Sequence, residues 1–221
     1  MLPVVTCDLF SALLDSRSGG TVALTALGRD WEVPAADVYD HWDACSKSLQ
    51  RDCTSWVPFA QLSQQALEQT YAELGLPGSA GVDIAPLLDS MADWPLWPDV
   101  ETAVPALRAV ARVGVLSNVD DDLLRRTRAA ALVDPDLAMT SERLQAYKPA
   151  PELYLAAQAR LGPFLHVASS ARDVRGALEA GLTVVRLARP GHRLDPQGPT
   201  PSHEVSSLAD LPAVMERLDL S

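Results

Sequence analysis

The stretch Leu2-Pro3-Val4-Val5-Thr6-Cys7-Asp8 decides how the rest of the chain is read. A short, nearly all-apolar run that stops at an acid reads as a strand covered on both faces in a parallel sheet. Three more runs share this character. Arg112-Val113-Gly114-Val115-Leu116 precedes Ser117-Asn118, Phe164-Leu165-His166-Val167 precedes Ala168-Ser169-Ser170, and Thr183-Val184-Val185-Arg186-Leu187 precedes a Pro-Gly loop. Helical patterns run between them over Glu101 to Ala111, Asp121 to Ala131, Pro151 to Leu161 and Ala171 to Ala180, the last closed by Gly181. The alternation predicts βαβ units and an α/β fold with a parallel sheet.

From about Asp15 to Trp94 the alternation stops. Val38, Trp42, Cys45 and Leu49 fall on one helical face, as do Phe59, Leu62, Ala66, Thr70 and Leu74. Four of the five tryptophans, Trp31, Trp42, Trp56 and Trp94, lie in this segment. We therefore expect a helical insert at 15–94 with its own apolar centre, carried by a core of 1–14 and 95–221. The alternative is one continuous domain with helices on one face. After Gly191 the chain is rich in Pro, Gly and Ser to about Ser202, which predicts a loop before a last helix near Leu208 to Leu218.

The 221 residues are 48% hydrophobic, enough for a substantial core. A net charge of −11 is the opposite of what binding a phosphate backbone requires, so no nucleic-acid partner is expected. Cys7, Cys45 and Cys53 are an odd number at no metal-ligand spacing, which fits a reducing cytoplasm. The N-terminal apolar run lacks Lys and Arg and breaks at Asp8, and no other apolar stretch approaches about 20 residues, so neither a signal peptide nor a membrane partner is expected.

Ligands of an open parallel sheet gather at the carboxyl ends of its strands. There the sequence delivers Asp8, then Ser117 and Asn118, then Ser169, Ser170 and Asp173, with Lys148-Pro149 heading the helix between. Two carboxylates, small hydroxyls, an amide and a lysine converging on one edge make a polar site for a small molecule. The run Asp120-Asp121-Asp122 reads as helix capping, since acids complement a helix N-terminus. His166, inside a buried strand, reads as a hydrogen-bonded core histidine. Arg172 and Arg175 flank Asp173 and face either the site or solvent.

In these residues the chain resembles the haloacid dehalogenase superfamily. Cys7-Asp8-Leu9-Phe10-Ser11-Ala12-Leu13-Leu14-Asp15 is similar to its first motif, Leu116-Ser117-Asn118 to its second, Lys148-Pro149 to its third and Ser169 to Gly181 to its fourth. The resemblance implies a Rossmann-like core with a helical cap inserted after the first strand. It also implies an aspartate nucleophile, Asp8, forming a covalent intermediate. Ser117 and Asn118 would hydrogen-bond the nucleophile or the leaving group, and Lys148 would keep Asp8 ionised.

Phosphatases of the superfamily carry a second acid two residues after the nucleophile and another in the fourth motif that helps hold Mg²⁺; here Phe10 and Ser169 stand at those places. The L-2-haloacid dehalogenases have an aromatic residue and serines there, and Tyr154 is similar to an active-site tyrosine of that branch. A halide leaves without a proton. The resemblance therefore implies a metal-independent hydrolase displacing a leaving group from carbon, with catalytic Asp8, Ser117, Asn118, Lys148 and Asp173. Asp173 would position or activate the hydrolytic water, and Phe10, Tyr154, Ser169 and Ser170 would face the substrate. No cofactor is expected, and a homodimer is implied by resemblance alone.

Three departures bear on the substrate. Ala12 replaces a threonine that contacts the nucleophile, Ser170 replaces an asparagine, and Asp43 stands after Trp42 where that branch has a carboxylate-binding arginine. Lys47 and Arg51 are either a displaced cation or solvated surface charges. A Mg²⁺-dependent phosphatase, with a weak ion site through Asp8 and Asp173, and a non-catalytic binding protein remain the alternatives.

Overall fold

The computed structural model describes residues 2–28 and 30–219. Strand β1 (Val4–Cys7) lies at the centre of a six-stranded sheet with β2 (Arg112–Ser117), β3 (Ala138–Thr140), β4 (Phe164–Ala168), β5 (Thr183–Leu187) and β6 (His203–Val205). The order is β3-β2-β1-β4-β5-β6 and every pairing is parallel. This is the doubly wound Rossmann-like order, and the order in which strands are added reverses beside β1, which places a crevice at the carboxyl ends of β1, β2 and β4. The α/β expectation holds.

The strands run where the apolar runs put them, because a strand covered by helices on both faces needs apolar side chains on both. Val5, Cys7, Val113, Val115, Leu165 and Val167 are all buried. Two strands escaped the sequence reading. Ala138–Thr140 and His203–Val205 have three residues each, too few for any pattern to stand out. The loop predicted to run to Ser202 gives way to β6 at His203. Gly114 of β2 is where the chain before β3 approaches: a Cβ there would lie 2.3 Å from the carbonyl oxygen of Leu137.

Helices connect the strands. They are α5 (Val100–Leu107), α6 (Asp121–Arg126), α7 (Ser141–Leu144), α8 (Pro151–Leu161), α9 (Ala171–Glu179) and, after β6, α10 (Leu211–Arg217). Helix α8 has the predicted bounds. The helix expected over Asp121 to Ala131 stops at Arg126 and continues as a 3₁₀ turn over Arg128–Leu132, and the last helix is likewise preceded by a 3₁₀ turn, Leu208–Asp210.

Between β1 and α5 the chain forms a π-helical turn over Leu9–Leu13 and four α-helices: α1 (Ser16–Leu27), α2 (Ala35–Arg51), α3 (Phe59–Leu74) and α4 (Ala80–Asp89). The buried face of α2 includes the expected Val38 and Trp42, with Cys45 and Leu49 packed against the same core, but it extends beyond them. Val38, Tyr39, Trp42, Ser46 and Gln50 are buried, while Cys45 and Leu49 are half-buried. The helix is turned so that two polar residues, Ser46 and Gln50, face inward. No helix among the described residues is long and apolar enough to cross a membrane.

Candidate active site

Asp8 ends β1, and its carboxylate begins the turn that follows. Oδ2 accepts hydrogen bonds from the Ser11 backbone N–H at 2.9 Å and from Ser11 Oγ at 2.6 Å. Oδ1 accepts from Ser117 Oγ, at the end of β2, at 3.1 Å and from Lys148 Nζ at 3.0 Å. The turn itself is pinned from behind. Arg189 donates from Nε and Nη2 to the Ala12 carbonyl, at 3.2 and 2.9 Å, and Trp97 Nε1 donates to the Ser11 carbonyl at 3.2 Å. Ala12 does remove a hydroxyl, as the sequence indicated, but Ser11 supplies one to Asp8 from the preceding position. That compensation was not anticipated.

Lys148 is 2% exposed and bridges two carboxylates, Oδ1 of Asp8 and Oδ2 of Asp173. Asp173, in the first turn of α9, also accepts from Tyr154 Oη at 2.9 Å and lies 3.2 Å from His166 Nε2. His166 Nδ1 is in turn 2.9 Å from Thr6 Oγ1, so this buried histidine is hydrogen-bonded at both nitrogens, as expected of a core histidine.

Burial alone would raise both carboxyls. For Asp8 the Lys148 cation and the Ser11 hydrogen bonds outweigh burial and the repulsion of Asp173, and hold it below the ordinary carboxylate range. For Asp173 burial is outweighed by Lys148 and His166, which hold it far below that range. Burial, then the Asp173 charge, raises the Tyr154 hydroxyl well above its usual value. Burial, then the Asp8 charge, pushes the Cys7 thiol up to about 12, so this cysteine is no nucleophile at neutral pH.

A cavity of about 610 Å³ opens over these groups, and Asp8, Phe10, Ser117, Asn118, Lys148, Ser170 and Asp173 all reach its wall. Tyr154 and Ser169 do not. Both are fully buried behind the wall, where Tyr154 holds Asp173 and the Ser169 hydroxyl has no hydrogen-bond partner. Their expected place facing the substrate is therefore corrected: a residue directly after a strand, like Ser169, or inside a helix, like Tyr154, need not reach the crevice, and only the fold fixes which side it takes. Phe10 stacks on Phe59, with centroids 5.7 Å apart, and meets Trp94 edge-on at 6.0 Å, giving the cavity an aromatic side.

Of the two partners expected for Asn118, the nucleophile and the leaving group, Asp8 is not hydrogen-bonded to it, although Asn118 reaches the cavity wall. Its Oδ1 accepts from the Lys148 backbone N–H at 2.8 Å, and its Nδ2 donates to the Lys148 carbonyl at 3.1 Å and to Gln50 Oε1 at 2.8 Å. Its amide fixes the segment that carries Lys148. Gln50 was missed because a glutamine inside an amphipathic pattern gives no signal by itself. The question left open for Arg172 and Arg175 is settled by their contacts: Arg172 reaches the cavity wall and donates to Gln50, whereas Arg175 pairs with Glu179 and Asp195 at the surface.

The three acids after Asn118 do not cap their own helix. Asp120 accepts from the backbone N–H groups of Phe59 and Ala60, at 2.8 and 2.9 Å, and so caps α3 across the crevice. Asp121 takes Thr140 and Arg143, and Asp122 pairs with Arg125 and Arg126. Helix capping was the right role for Asp120 but on the wrong helix. Lys47 pairs with Asp43 on the cavity wall, and Arg51 pairs with Asp52 at the surface.

A divalent ion between Asp8 and Asp173 would have to displace the Lys148 ammonium that already bridges them. Elsewhere, donor atoms of His41, Cys45 and Glu73 gather within 4.8 Å between α2 and α3, where His41 Nε2 lies 2.7 Å from Glu73 Oε2.

An open parallel sheet with an ionised aspartate at the end of its first strand, a hydroxyl at the end of the second and a lysine across from both is the constellation of the haloacid dehalogenase superfamily. The chain is similar in sequence and in fold to hydrolases of that superfamily, and its similarities lie in the L-2-haloacid dehalogenase branch. It is 29% identical over 170 residues to (S)-2-haloacid dehalogenase 1 of Pseudomonas sp. strain CBS-3, covering 74% of each chain. It is 28% identical over 163 residues to (S)-2-haloacid dehalogenase 4A of Burkholderia cepacia, covering 71% of this chain and 70% of that one. L-2-haloacid dehalogenase from Xanthobacter autotrophicus has the same fold, with a TM-score of 0.83 over 98% of this chain and 99% of its own at 22% identity. That protein is also known with chloropropionic acid covalently bound. No family model matches the sequence.

Proposed function

We propose that this chain is a metal-independent hydrolase that displaces halide from a carbon of a small haloacid, with Asp8 as nucleophile. Asp8 attacks carbon in line, the carbon–halogen bond breaks, and the halide leaves with its electron pair. Water then adds to the Asp8 carboxyl carbon and the ester opens, releasing the hydroxy acid. The observation that carries the reading is the pairing of an ionised Asp8, gripped by Lys148, Ser11 and Ser117, with the aromatic Phe10 where a phosphatase needs an acid. Phe10 cannot protonate an alkoxide leaving group, and a halide needs no proton.

Ser117 and Lys148 orient Asp8, Asn118 holds the segment of Lys148, and Asp173, with Tyr154, His166 and Lys148 on its oxygens, keeps Lys148 in place. Ser170 and Phe10 face the substrate. Residues 15–94 act as the cap of a core made of 1–14 and 95–221, tied to it by Asp120 on the N-terminus of α3 and by Gln50 on Asn118. Water excluded beneath it would otherwise compete with the first displacement. The relatives' names support haloacids as the substrate class.

The test is release of halide from 2-chloropropionate and 2-bromopropionate, beside release of phosphate from small phosphate esters, with and without added Mg²⁺. Halide release indifferent to Mg²⁺ is expected. Turnover confined to phosphate esters with Mg²⁺ would contradict the reading.

The pH dependence follows from the lowered Asp8. Its carboxyl titrates below its unfolded value of about 3.9, so the reactive anion is fully present above that range and is lost only as pH falls through the lowered value. Single-turnover halide release should stay flat from neutrality down to about pH 5. A decline centred between pH 6 and 7 would contradict it.

A further inference from the structure

The proposed chemistry fixes one end of the substrate at Asp8, and the charges on the cavity wall indicate what holds the other. Four cations line the cavity: Arg17, Lys47, Lys148 and Arg172. Arg17 pairs with Asp40, Lys47 with Asp43, and Lys148 with Asp8 and Asp173. Among the described residues Arg172 makes no ion pair. Its Nη2 donates to the neutral amide oxygen of Gln50 at 2.9 Å, and its Nη1 has no partner. A guanidinium on the cavity wall whose one acceptor is an uncharged amide has no counter-charge of its own, and its buried Nη1 is a donor without an acceptor.

Its orientation is fixed. Gln50 is 4% exposed, its Nε2 donates to Ser46 Oγ at 2.9 Å, and its Oε1 therefore faces both Asn118 and Arg172. Arg172 comes from the first turn of α9, one residue before Asp173, so it stands at the carboxyl edge of the sheet with Asp8. Position 43, by contrast, offers an anion only another anion. One side of the wall is aromatic, with Phe10 in contact with both Phe59 and Trp94, and about 610 Å³ is in the range of sites for drug-sized ligands.

We propose that Arg172, oriented by Gln50, is the anchor for the substrate's carboxylate, and that the substrate is a monocarboxylate whose apolar body is larger than methyl and lies against Phe10, Phe59 and Trp94. The proposal rests on the haloacid reading above. Its rival is that Arg172 serves only to balance the second negative charge of the Asp8–Lys148–Asp173 group.

The test needs no turnover. Binding of 3-phenylpropionate and of its neutral amide, 3-phenylpropionamide, is measured by calorimetry on the wild-type chain and on Arg172→Gln and Arg172→Lys. The acid should bind the wild type more tightly than the amide. Arg172→Gln should weaken the acid by about 10- to 100-fold, the worth of a charge-assisted pair, and leave the amide within about twofold, while Arg172→Lys recovers part of the loss. Retained amide binding shows that the variant is folded. No binding of the acid to the wild type, equal losses for acid and amide, or no loss for either overturns the proposal. Bromide is titrated in the same way, and loss of its binding in Arg172→Gln with acid affinity intact also overturns the proposal, by assigning the arginine to the leaving halide. The two readings separate: anchoring through Arg172 in a chain that releases no halide from any haloacid overturns the dehalogenase reading alone, whereas halide release with an unchanged KM in Arg172→Gln overturns the anchor alone.

Discussion

Lys148→Met should unfold roughly 6–20 °C below the wild type, the shift expected when removing one partner of a buried ionic group costs about 3–5 kcal/mol in a chain of this size. The reason is specific to this site. One ammonium, 2% exposed, is the shared partner of Asp8 and Asp173, and a thioether of similar length leaves two carboxylates buried side by side. Asp173 keeps Tyr154 and His166, but Asp8 keeps only the hydroxyls of Ser11 and Ser117 and one backbone N–H. Burial and the repulsion of Asp173 then raise Asp8, so the variant should also lose halide release as pH falls through the mildly acidic range where the wild type stays flat. Calorimetry across pH checks both. A variant as stable as the wild type, with an unchanged pH profile, would show that Lys148 does not hold the pair.

The second large effect is on chemistry. Asp8→Asn removes the nucleophile while keeping its shape, and halide release should fall by at least about 10⁴-fold, the scale of losing the group that forms the covalent bond. Four donors converge on the two Asp8 oxygens, so the new amide nitrogen would face at least one of them and lose hydrogen bonds as well. Stability should change far less than in Lys148→Met, because Lys148 retains Asp173. Stopped-flow halide release from 2-bromopropionate measures the loss, and a decrease under tenfold would remove Asp8 from the role of nucleophile.

The sheet was legible because strands buried on both faces must be apolar throughout, and four of the six stand out on that ground alone. The two missed, Ala138–Thr140 and His203–Val205, lie at the sheet's edges with three residues each. The residues at the strand ends were legible for the same reason: a polar residue that follows an apolar strand is delivered to the crevice, and Asp8, Ser117 and Ser170 are all there. What could not be read was direction. Tyr154 and Ser169 fall behind the cavity wall, Asn118 turns to the Lys148 backbone, and Asp120 reaches past its own helix to α3. Those choices belong to three-dimensional packing, where a side chain is satisfied by whichever group arrives opposite it. Gln50 and Arg172 show the same limit from the other side, since their meeting depends on α2 and α9 facing each other across the crevice and no local pattern records that.

The most direct measurement is a single turnover of 2-bromopropionate in heavy-oxygen water with enzyme in excess, followed by mass analysis of both the hydroxy acid and the peptide that contains Asp8. If Asp8 forms an ester that water opens at its carboxyl carbon, the product carries the original carboxylate oxygen and stays unlabelled, while the Asp8 peptide gains one heavy oxygen. Label in the product with none in Asp8 would mean that water attacked the substrate carbon directly, and would contradict the account.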